Sequence, residues 1–526
     1  MGSKDAFFCT FCSLLLFCFS SKCLSSELDL PQTALVEVDA SWEVSRKIPD
    51  TLFGLFFEEI NHAGAGGIWA ELVSNRSNSQ FDKHSSWKLK NSVALRMEIL
   101  CENCPAGGVG IYNPGFWGMN IEEGKTYNLV MYIRSLESVE LTASLTCSDG
   151  MQNLASVSIQ EIDPSNWTKI EMQLLAQGTC RTSRLELTSM KRGVIWFDQV
   201  SLMPSDTYKG HGFRKELIYM LLELRPQFLR FPGISHHDEV DTIIIEPFVK
   251  DVLDSLEFAR GSAESTWGSV RSAMGHPERF PLKYVAIGNE DCGKEFYRGN
   301  YLKFYDAIRK AYPDIQMISN CDGSSRPLDH PADLYDFHVF VSEYAVNEQR
   351  DAGKGSLLAS LAEAAFLTGL EKNSDVVQMA SYAPLFVNDN DSTWNPDAIV
   401  FNSWQQYGTP SYWVQTYFRE SSGSVIHPIT ISSRYSDSLA ASAITWQDSE
   451  DIFLRVKIVN FGPNAVNLTI SSRGLQDGVN TAKSTVVPVE SELPNAAEVM
   501  EAVLPPFSFT SFDLALDQYS KLVAEM

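Results

Sequence analysis

Positive charge is scarce in this sequence. Its 526 residues include 42 lysines and arginines against 66 aspartates and glutamates, which leaves a formal net charge of −24 at pH 7. A chain with this balance repels phosphate backbones and anionic membrane surfaces, and no cluster of basic residues offsets the repulsion. We therefore expect no nucleic-acid partner and no membrane partner, and we expect substrates that are neutral or weakly charged.

Cysteine is also scarce, and its arrangement does not suggest a metal site. Four of the ten cysteines lie before residue 26, and the other six are Cys101, Cys104, Cys147, Cys180, Cys292 and Cys321. So few thiols are not a disulfide scaffold, and their pairing does not follow from the sequence. Cys101 and Cys104 lack a second Cys or His pair at zinc spacing, and the glycines of residues 61–67 lack phosphate-loop spacing. We expect neither a metal nor another cofactor.

Long hydrophobic runs are missing after the N-terminal segment. Lys4 is followed by an apolar run from Ala6 to Phe19, which ends among serines. The run is too short for a comfortable membrane span, and its pattern is typical of a secretory signal peptide, here residues 1–26. Four glycosylation sequons agree with a secreted, soluble glycoprotein; they are Asn75, Asn166, Asn390 and Asn467.

The candidate chemistry is organised around a short strand that ends in Asn289 and Glu290. Residues 284–287 form a continuous apolar run, and Gly288 permits a sharp turn after it. Glu343 ends a second apolar strand. A single glutamate after a strand is usually a cap or a surface ion pair. Two such glutamates facing one pocket are instead typical of a retaining glycosidase, in which one protonates the leaving oxygen and the other attacks the anomeric carbon.

Changes of pattern along the chain predict its domains. Residues 27–80 contain a lead-in and a first barrel strand, which ends near Glu58, a further site candidate. Residues 81–205 are β-rich with frequent turns and predict a β-sandwich. Residues 206–405 alternate strands and helices, as in the βα units of a barrel, and residues 406–526 are β-rich again. The predicted fold class is therefore α/β plus all-β.

Local signals also predict individual elements. Glu246 to Arg260 should form a helix, because Pro247 suits its first turn and Gly261 ends it. Aromatic residues in the first sandwich are either a stacking platform for sugar rings or part of its core; they are Trp87, Tyr112, Phe116 and Trp117.

Four motifs in this chain resemble those of the plant cell-wall α-L-arabinofuranosidases of glycoside hydrolase family 51. They are Phe-Gly-Leu-Phe-Phe-Glu-Glu-Ile-Asn-His-Ala-Gly at 53–64, Leu-Arg-Phe-Pro-Gly at 229–233, Gly-Asn-Glu at 288–290 and Val-Ser-Glu-Tyr-Ala at 341–345. The resemblance covers nearly everything after the leader. It implies a (β/α)8 TIM-type barrel, an inserted carbohydrate-binding-module-like sandwich and a C-terminal sandwich. It also implies release of terminal arabinofuranosyl residues from arabinoxylan and arabinan, with retention, in the extracellular matrix or cell wall.

The resemblance implies a role for each matching residue. Glu290 would be the general acid/base and Glu343 the nucleophile. Asn289 would hydrogen-bond the sugar 2-hydroxyl, Glu58 would bind sugar hydroxyls, and His338 would line the same pocket.

Two departures from the family pattern predict an incomplete barrel. The family has a substrate loop and a third strand after Gly233, and a loop and helix after Val339, and both segments are absent here. The acid/base and nucleophile of a barrel should be about 90 residues apart, but positions 290 and 343 are much closer. Parallel neighbours need a crossover of roughly a dozen residues, so we expect strands 335–339 and 340–342 to merge.

Two other functions stay open. The chain is alternatively an impaired splice form or gene model that acts at most as a sugar-binding protein. Another retaining glycosidase, such as a xylanase or xylosidase, would share the strand-end glutamates.

Overall fold

The computed structural model describes residues 32–74, 94–162, 164–231, 241–289, 291–323, 327–336, 343–346, 355–392, 397–434, 436–449, 451–474, 479–486, 489–492, 497 and 499–516. Only the backbone is described at residues 160–162, 243, 343, 479–486, 489–492 and 516. The chain divides into two compact units. One contains residues 46–426 and 444–447, and the other contains residues 1–45, 427–443 and 448–526. The predicted signal peptide lies outside the described residues.

A 3-10 turn at Trp42–Val44 separates the first strand from the next two. They are β1 (Gln32–Asp39), β2 (Arg46–Lys47) and β3 (Phe53–Phe56).

The segment that follows is a sandwich of two antiparallel sheets. Its strands are β4 (Leu95–Ile99), β5 (Val109–Asn113), β6 (Met119–Ile121), β7 (Thr126–Ser135), β8 (Val139–Cys147), β9 (Asn153–Ile162), β10 (Thr168–Leu175), β11 (Cys180–Ser189) and β12 (Gly193–Pro204). One sheet has the order β10-β7-β12-β4, and the other has β5-β11-β8-β9 with β6 on β11. Alternate residues of β7 and β8 are buried, including Leu129, Met131 and Leu141, so the two inner faces form one apolar core.

The next segment alternates helices and strands. Its helices are α1 (Lys215–Glu223), α2 (Glu246–Arg260), α3 (Thr266–Ala273), α4 (Tyr297–Ala311), α5 (Leu357–Lys372) and α6 (Pro410–Thr416). Its strands are β13 (Leu229–Arg230), β14 (Tyr284–Ile287), β15 (Gln316–Ser319), β16 (Leu334–Tyr335), β17 (Glu343–Tyr344), β18 (Ala380–Tyr382), β19 (Phe386–Asn388), β20 (Ile399–Phe401) and β21 (Gln406–Gly408). Further 3-10 turns occur at Tyr208–Gly210 and Thr242–Ile244.

The parallel strands of this segment lie in separate sheets. Strands β13, β3, β18 and β17 follow one another in a four-stranded parallel sheet, and β14, β15 and β16 form a three-stranded parallel sheet. A third sheet pairs β19 with β20 in parallel and β20 with β21 in antiparallel. Within the described residues, these strands therefore do not close into one barrel.

The remaining strands build the C-terminal β structure. They are β22 (Val425–His427), β23 (Ile429–Ser432), β24 (Leu439–Asp448), β25 (Asp451–Asn460), β26 (Val466–Arg473), β27 (Val479–Val486), β28 (Val489–Glu492), β29 (Val499–Leu504) and β30 (Ser508–Leu516). A 3-10 turn at Ser436–Ser438 precedes β24. One sheet has the order β23-β1-β26-β29, and a second contains β24-β25-β30-β27-β28 in that order. Val36 and Val38 of β1 are buried in the core between them, so the first described strand belongs to this C-terminal layer.

Two predicted elements have the predicted bounds, and one prediction falls mostly outside the described residues. The helix Glu246–Arg260 and the strand Tyr284–Ile287 occur as expected. The predicted merging of strands 335–339 and 340–342 falls mostly on residues 337–342, which lie outside the described residues, so it stays a prediction. On either side of this segment, β16 pairs with β15 and β17 pairs with β18. In the part of the chain that the structure describes, no helix is long and apolar enough to cross a membrane.

Candidate active site

The site is built on the carboxyl ends of β14 and β15. Gly288 has a φ of 93°, and a Cβ there would come within 2.7 Å of the Tyr297 ring, so the position requires glycine. Tyr297 donates its hydroxyl hydrogen to the Ile287 carbonyl at 3.1 Å and accepts from the Asn320 backbone N–H at 3.0 Å. Burial raises the pKa of Tyr297 to about 12, so this hydroxyl stays neutral near pH 7.

The segment after Gly288 is held in place by Asp291. The Asn289 backbone N–H donates to Asp291 Oδ2 at 2.9 Å, and the Asp291 N–H donates to Asn320 Oδ1 at 2.7 Å. A disulfide between Cys292 and Cys321 joins the same two loops. The position of Asn289 is thus determined by covalent and hydrogen-bonded links between the ends of β14 and β15.

Arg230, at the end of β13, contacts groups from both parallel sheets. Its Nη2 donates to Asn289 Oδ1 at 2.8 Å and lies 3.8 Å from Asp336 Oδ2, just after β16. Its guanidinium also lies over the Phe56 ring of β3, 4.7 Å from the centroid. A single, partly buried cation thereby contacts residues at the carboxyl ends of four strands.

Glu58 lies at the same edge, two residues after β3, and is half-buried. The loop that follows includes Asn61 and His62, both in the left-handed region with φ of 56° and 53°. Asn61 Nδ2 donates to Asp397 Oδ1 at 3.2 Å, and His62 Nδ1 lies 2.5 Å from Asp391 Oδ2. These side-chain bonds stabilise a backbone conformation that residues other than glycine rarely adopt.

Two carboxyl groups near this edge have raised pKa values because they are buried. Burial raises the pKa of Asp397 to about 8, and the hydrogen bond from Asn61 only partly opposes the shift. Burial also raises the pKa of Glu59, whereas the backbone N–H groups of Ala65 and Gly64 lower it. The N–H donors of Asn61, Ala65 and Gly64 thus connect these two carboxyl groups to the loop that follows Glu58.

Helix α5 forms a hydrogen bond to the segment just after the strand that carries Glu343. Glu343 pairs with Ser381, and Tyr344 pairs with Tyr382, in the parallel β17–β18 ladder. The Val346 N–H, three residues after Glu343, donates to Glu363 Oε1 at 3.3 Å. Burial raises the pKa of Glu363 to about 7, although Ser411, Val346 and Tyr382 lower it in part.

The structure describes three of the predicted site residues. Glu58 and Asn289 follow the carboxyl ends of their strands, and the backbone of Glu343 lies in β17. Glu290 and His338 lie outside the described residues, so their roles and the separation of Glu290 from Glu343 stay predictions.

The predicted glycosylation positions that the structure describes are accessible. Asn166, Asn390 and Asn467 are exposed, and Asn75 lies outside the described residues. Their modification stays a prediction. Among the residues that the structure describes, no group of three or more His, Cys, Asp or Glu side chains could hold a metal ion.

Some residues that shape the site were not assigned a role from the sequence. Arg230 was visible in a matching motif, but its contact with Asn289 depends on tertiary structure. Asp336 follows the apolar pair Leu334–Tyr335, and a carboxylate after a strand could have been singled out on that ground. Glu363 sits within an alanine- and leucine-rich helix, where the sequence carries no signal for it.

Of the four aromatic residues singled out from the sequence, the three that the structure describes are not fully buried in the sandwich core. Tyr112 is 64% exposed and Trp117 is 47% exposed, whereas Phe116 is half-buried. Trp87 lies outside the described residues.

Comparison with known proteins gives consistent matches along the chain. Residues 234–354 match the α-L-arabinofuranosidase 1 domain family, and residues 342–508 match the α-L-arabinofuranosidase C-terminal domain family. Alpha-L-arabinofuranosidase 1 of Arabidopsis thaliana is 48% identical over 645 positions, which include 96% of this chain and 95% of the relative. Alpha-L-arabinofuranosidase 2 of the same plant is 46% identical over 623 positions, with 93% and 92% covered.

A solved structure has a similar fold. The arabinose-bound family 51 α-L-arabinofuranosidase MgGH51 superimposes with a TM-score of 0.78 at 22% identity, covering 92% of this chain and 100% of that chain. At this identity the likeness concerns the fold alone.

Proposed function

This chain belongs to the α-L-arabinofuranosidase family, and from that membership we propose that it is a retaining glycoside hydrolase of terminal, non-reducing α-L-arabinofuranosyl residues. The observation that carries the proposal is the 48% identity to an Arabidopsis α-L-arabinofuranosidase, which extends over 96% of this chain and 95% of that protein. The relatives are named arabinofuranosidases, which favours this activity over that of a xylanase or xylosidase. Arabinose-containing glycans are therefore the substrates, and we take arabinoxylan and arabinan of the cell wall as the specific polymers.

The proposed mechanism assigns one role to each carboxyl group. The Glu343 carboxylate attacks the anomeric carbon, and Glu290 donates its proton to the departing glycosidic oxygen. Glu290 then takes a proton from water, and that water releases arabinose from Glu343. This sequence requires the two carboxyls to be about 5 Å apart.

The neighbouring residues supply orientation. Arg230 donates to the carbonyl oxygen of the Asn289 side chain at 2.8 Å, and this bond would leave the amide Nδ2 of Asn289 to donate to the sugar 2-hydroxyl. Glu58 would accept hydrogen bonds from other sugar hydroxyls, and His338 would line the same pocket. An amide that is already oriented in this way would lower the cost of reaching the transition state.

Secretion and domain organisation are part of the same proposal. The leader over residues 1–26 and the four sequons support an extracellular, cell-wall location. We assign residues 27–80 and 206–405 to the catalytic α/β region, residues 81–205 to a carbohydrate-binding-module-like sandwich and residues 406–526 to the C-terminal sandwich. The sheets of β4–β12 support the second assignment.

The direct test of the mechanism is to trap the glycosyl-enzyme. In a form with the two absent segments restored, an aryl arabinofuranoside that forms a long-lived intermediate should label Glu343, as detected by peptide mass spectrometry. Glu343→Ala should abolish the adduct, because no carboxylate remains to attack. Glu58→Gln should retain the adduct and weaken substrate binding. An adduct on a different residue would overturn the assignment.

A further inference from the structure

A turn of the sandwich packs against the loop that carries Glu58. The turn lies between β5 and β6, and its Phe116 ring covers Gly66, where a Cβ would come within 2.5 Å of that ring. The His62 ring contacts Phe116 edge-on at 6.0 Å and Trp117 edge-on at 5.0 Å between centroids. The contact is therefore specific to the residues on both sides, because any larger residue at position 66 would displace Phe116.

The turn itself is rigidly held. Asn113 Oδ1 accepts from the Gly115 N–H at 2.8 Å, and Asn113 Nδ2 donates to the Ser74 carbonyl at 2.8 Å. The Gly118 N–H donates to the Pro114 carbonyl at 3.1 Å. These bonds leave the turn with little freedom to reposition its aromatic side chains.

Trp117 occupies an unfavourable conformation within this rigid turn. Its φ is 60°, in the left-handed region, and its ring is 47% exposed instead of packed in the core. Backbone strain at a bulky residue lowers stability, and it tends to occur where a side chain is presented to a ligand. The strain and the exposure together distinguish Trp117 from an ordinary surface aromatic.

The other side of the contact is equally well anchored. His62, against the edge of Trp117, is held by Asp391 at 2.5 Å, and the adjacent Asn61 is held by Asp397. Glu58 is only four residues before His62 and follows the same strand, β3. The exposed indole therefore borders the carboxyl-end edge at which the proposed sugar-binding residues lie.

We propose that Trp117, braced by His62, is the binding platform for the main-chain pyranose that carries the arabinofuranosyl branch. The inference rests on the proposed function, and it adds the substrate class that the site prefers. Pyranose rings present flat C–H faces that pack on an indole, whereas the furanose rings of an arabinan main chain do not. Asp391 lies beside the platform as an acceptor for sugar hydroxyls. The platform thus selects arabinoxylan over arabinan.

The test uses the chain without its predicted leader, residues 27–526, and compares how far its variants are retarded in native gels that contain arabinoxylan. Trp117→Ala should weaken polysaccharide binding on the order of tenfold, the usual consequence of losing one stacking ring. Trp117→Gly should lose as much polysaccharide affinity. Because glycine readily adopts a φ of 60°, misfolding of the turn would not explain the loss in this variant. Trp167→Ala is the matched control, since Trp167 is 43% exposed on the same sandwich. It should bind as the unmodified chain does.

Activity measurements separate this inference from the proposed function. Relative to the unmodified chain, Trp117→Ala should lose on the order of tenfold more activity in releasing arabinose from arabinoxylan than in hydrolysing an aryl arabinofuranoside. If the unmodified chain and the restored form both fail to hydrolyse the aryl substrate, the proposed function is wrong. Retardation in the arabinoxylan gels would still test the Trp117 platform independently. Unchanged retardation of both Trp117 variants, an equal loss in Trp167→Ala, or no retardation of the unmodified chain would overturn the platform.

Discussion

Glu363 shows how one buried carboxyl group affects both the site and the stability of the chain. It is 2% exposed on helix α5 and accepts a hydrogen bond from Val346, just after the Glu343 strand. Tyr344 and Tyr382 of the neighbouring strands are also buried around it. Because burial raises its pKa to about 7, Glu363 is largely neutral at acidic pH.

This shift predicts that folding stability falls as the pH rises. In the unfolded chain Glu363 ionises near its usual pKa of 4.5, whereas in the folded chain it ionises near 7. Its contribution is therefore fully present below about pH 4.5 and is lost as the pH rises to about 7, with a total of roughly 3 kcal/mol. Glu363→Gln, which cannot ionise, should be more stable than the parent at pH 8 and similar at pH 4, as measured by urea denaturation.

The control for this prediction is Glu264→Gln, which removes one negative charge from an exposed position. A pH-independent difference between Glu363→Gln and the parent would show that the effect comes from packing and not from ionisation.

At the scale of elements, the site depends on the links between the loops that follow β14 and β15. The disulfide Cys292–Cys321 spans a sequence separation of 29 and joins these loops next to Asn289 and Asn320. A covalent link of this length stabilises by about 3 kcal/mol in the chain-entropy model. Its removal should therefore both lower stability and loosen the segment that carries Asn289.

The double variant Cys292→Ala/Cys321→Ala should unfold at a lower temperature, with faster hydrogen exchange in residues 288–294. Cys147→Ala/Cys180→Ala is a suitable control, because that disulfide has a similar separation of 33 but lies in the sandwich. It should lose a comparable amount of stability without faster exchange in residues 288–294. Equal exchange there in both variants would contradict a local role for Cys292–Cys321.

At the scale of the whole molecule, the parallel strands of the α/β segment are divided among three sheets in the described residues. β13 and β14 belong to different sheets, as do β16 and β17. These are the two places at which the family pattern is interrupted in the sequence. The alignment with the Arabidopsis relative spans 645 positions, but this chain has only 526 residues, so internal positions of the relative have no counterpart here.

We predict that the chain as written has low arabinofuranosidase activity. A displacement of about 1 Å can cost on the order of a hundredfold in rate, and an interrupted sheet leaves the Glu343 strand without its usual neighbour. Restoring both absent segments should raise kcat/KM on an aryl α-L-arabinofuranoside by more than tenfold over that of residues 27–526. Glu343→Ala in each form gives the background rate. A kcat/KM for residues 27–526 within tenfold of that of the restored form would contradict this argument from barrel geometry.

The sequence alone determined those features that depend on neighbours along the chain. The helix Glu246–Arg260 was predictable because proline and glycine act locally at its ends, and the strand Tyr284–Ile287 because its apolar run is short and continuous. Family membership was predictable because four separate motifs match, and the relatives confirm it. The same reasoning placed Glu58 and Asn289 at strand ends, where the structure has them.

Only the tertiary structure decided which distant residues meet. β1 joins β26 in the C-terminal sheet, Arg230 reaches Asn289, and Cys292 pairs with Cys321, and none of these partners is specified by periodicity or spacing. Local propensity acts over a few residues, whereas burial of apolar area and pairing of polar groups are settled when the whole chain packs.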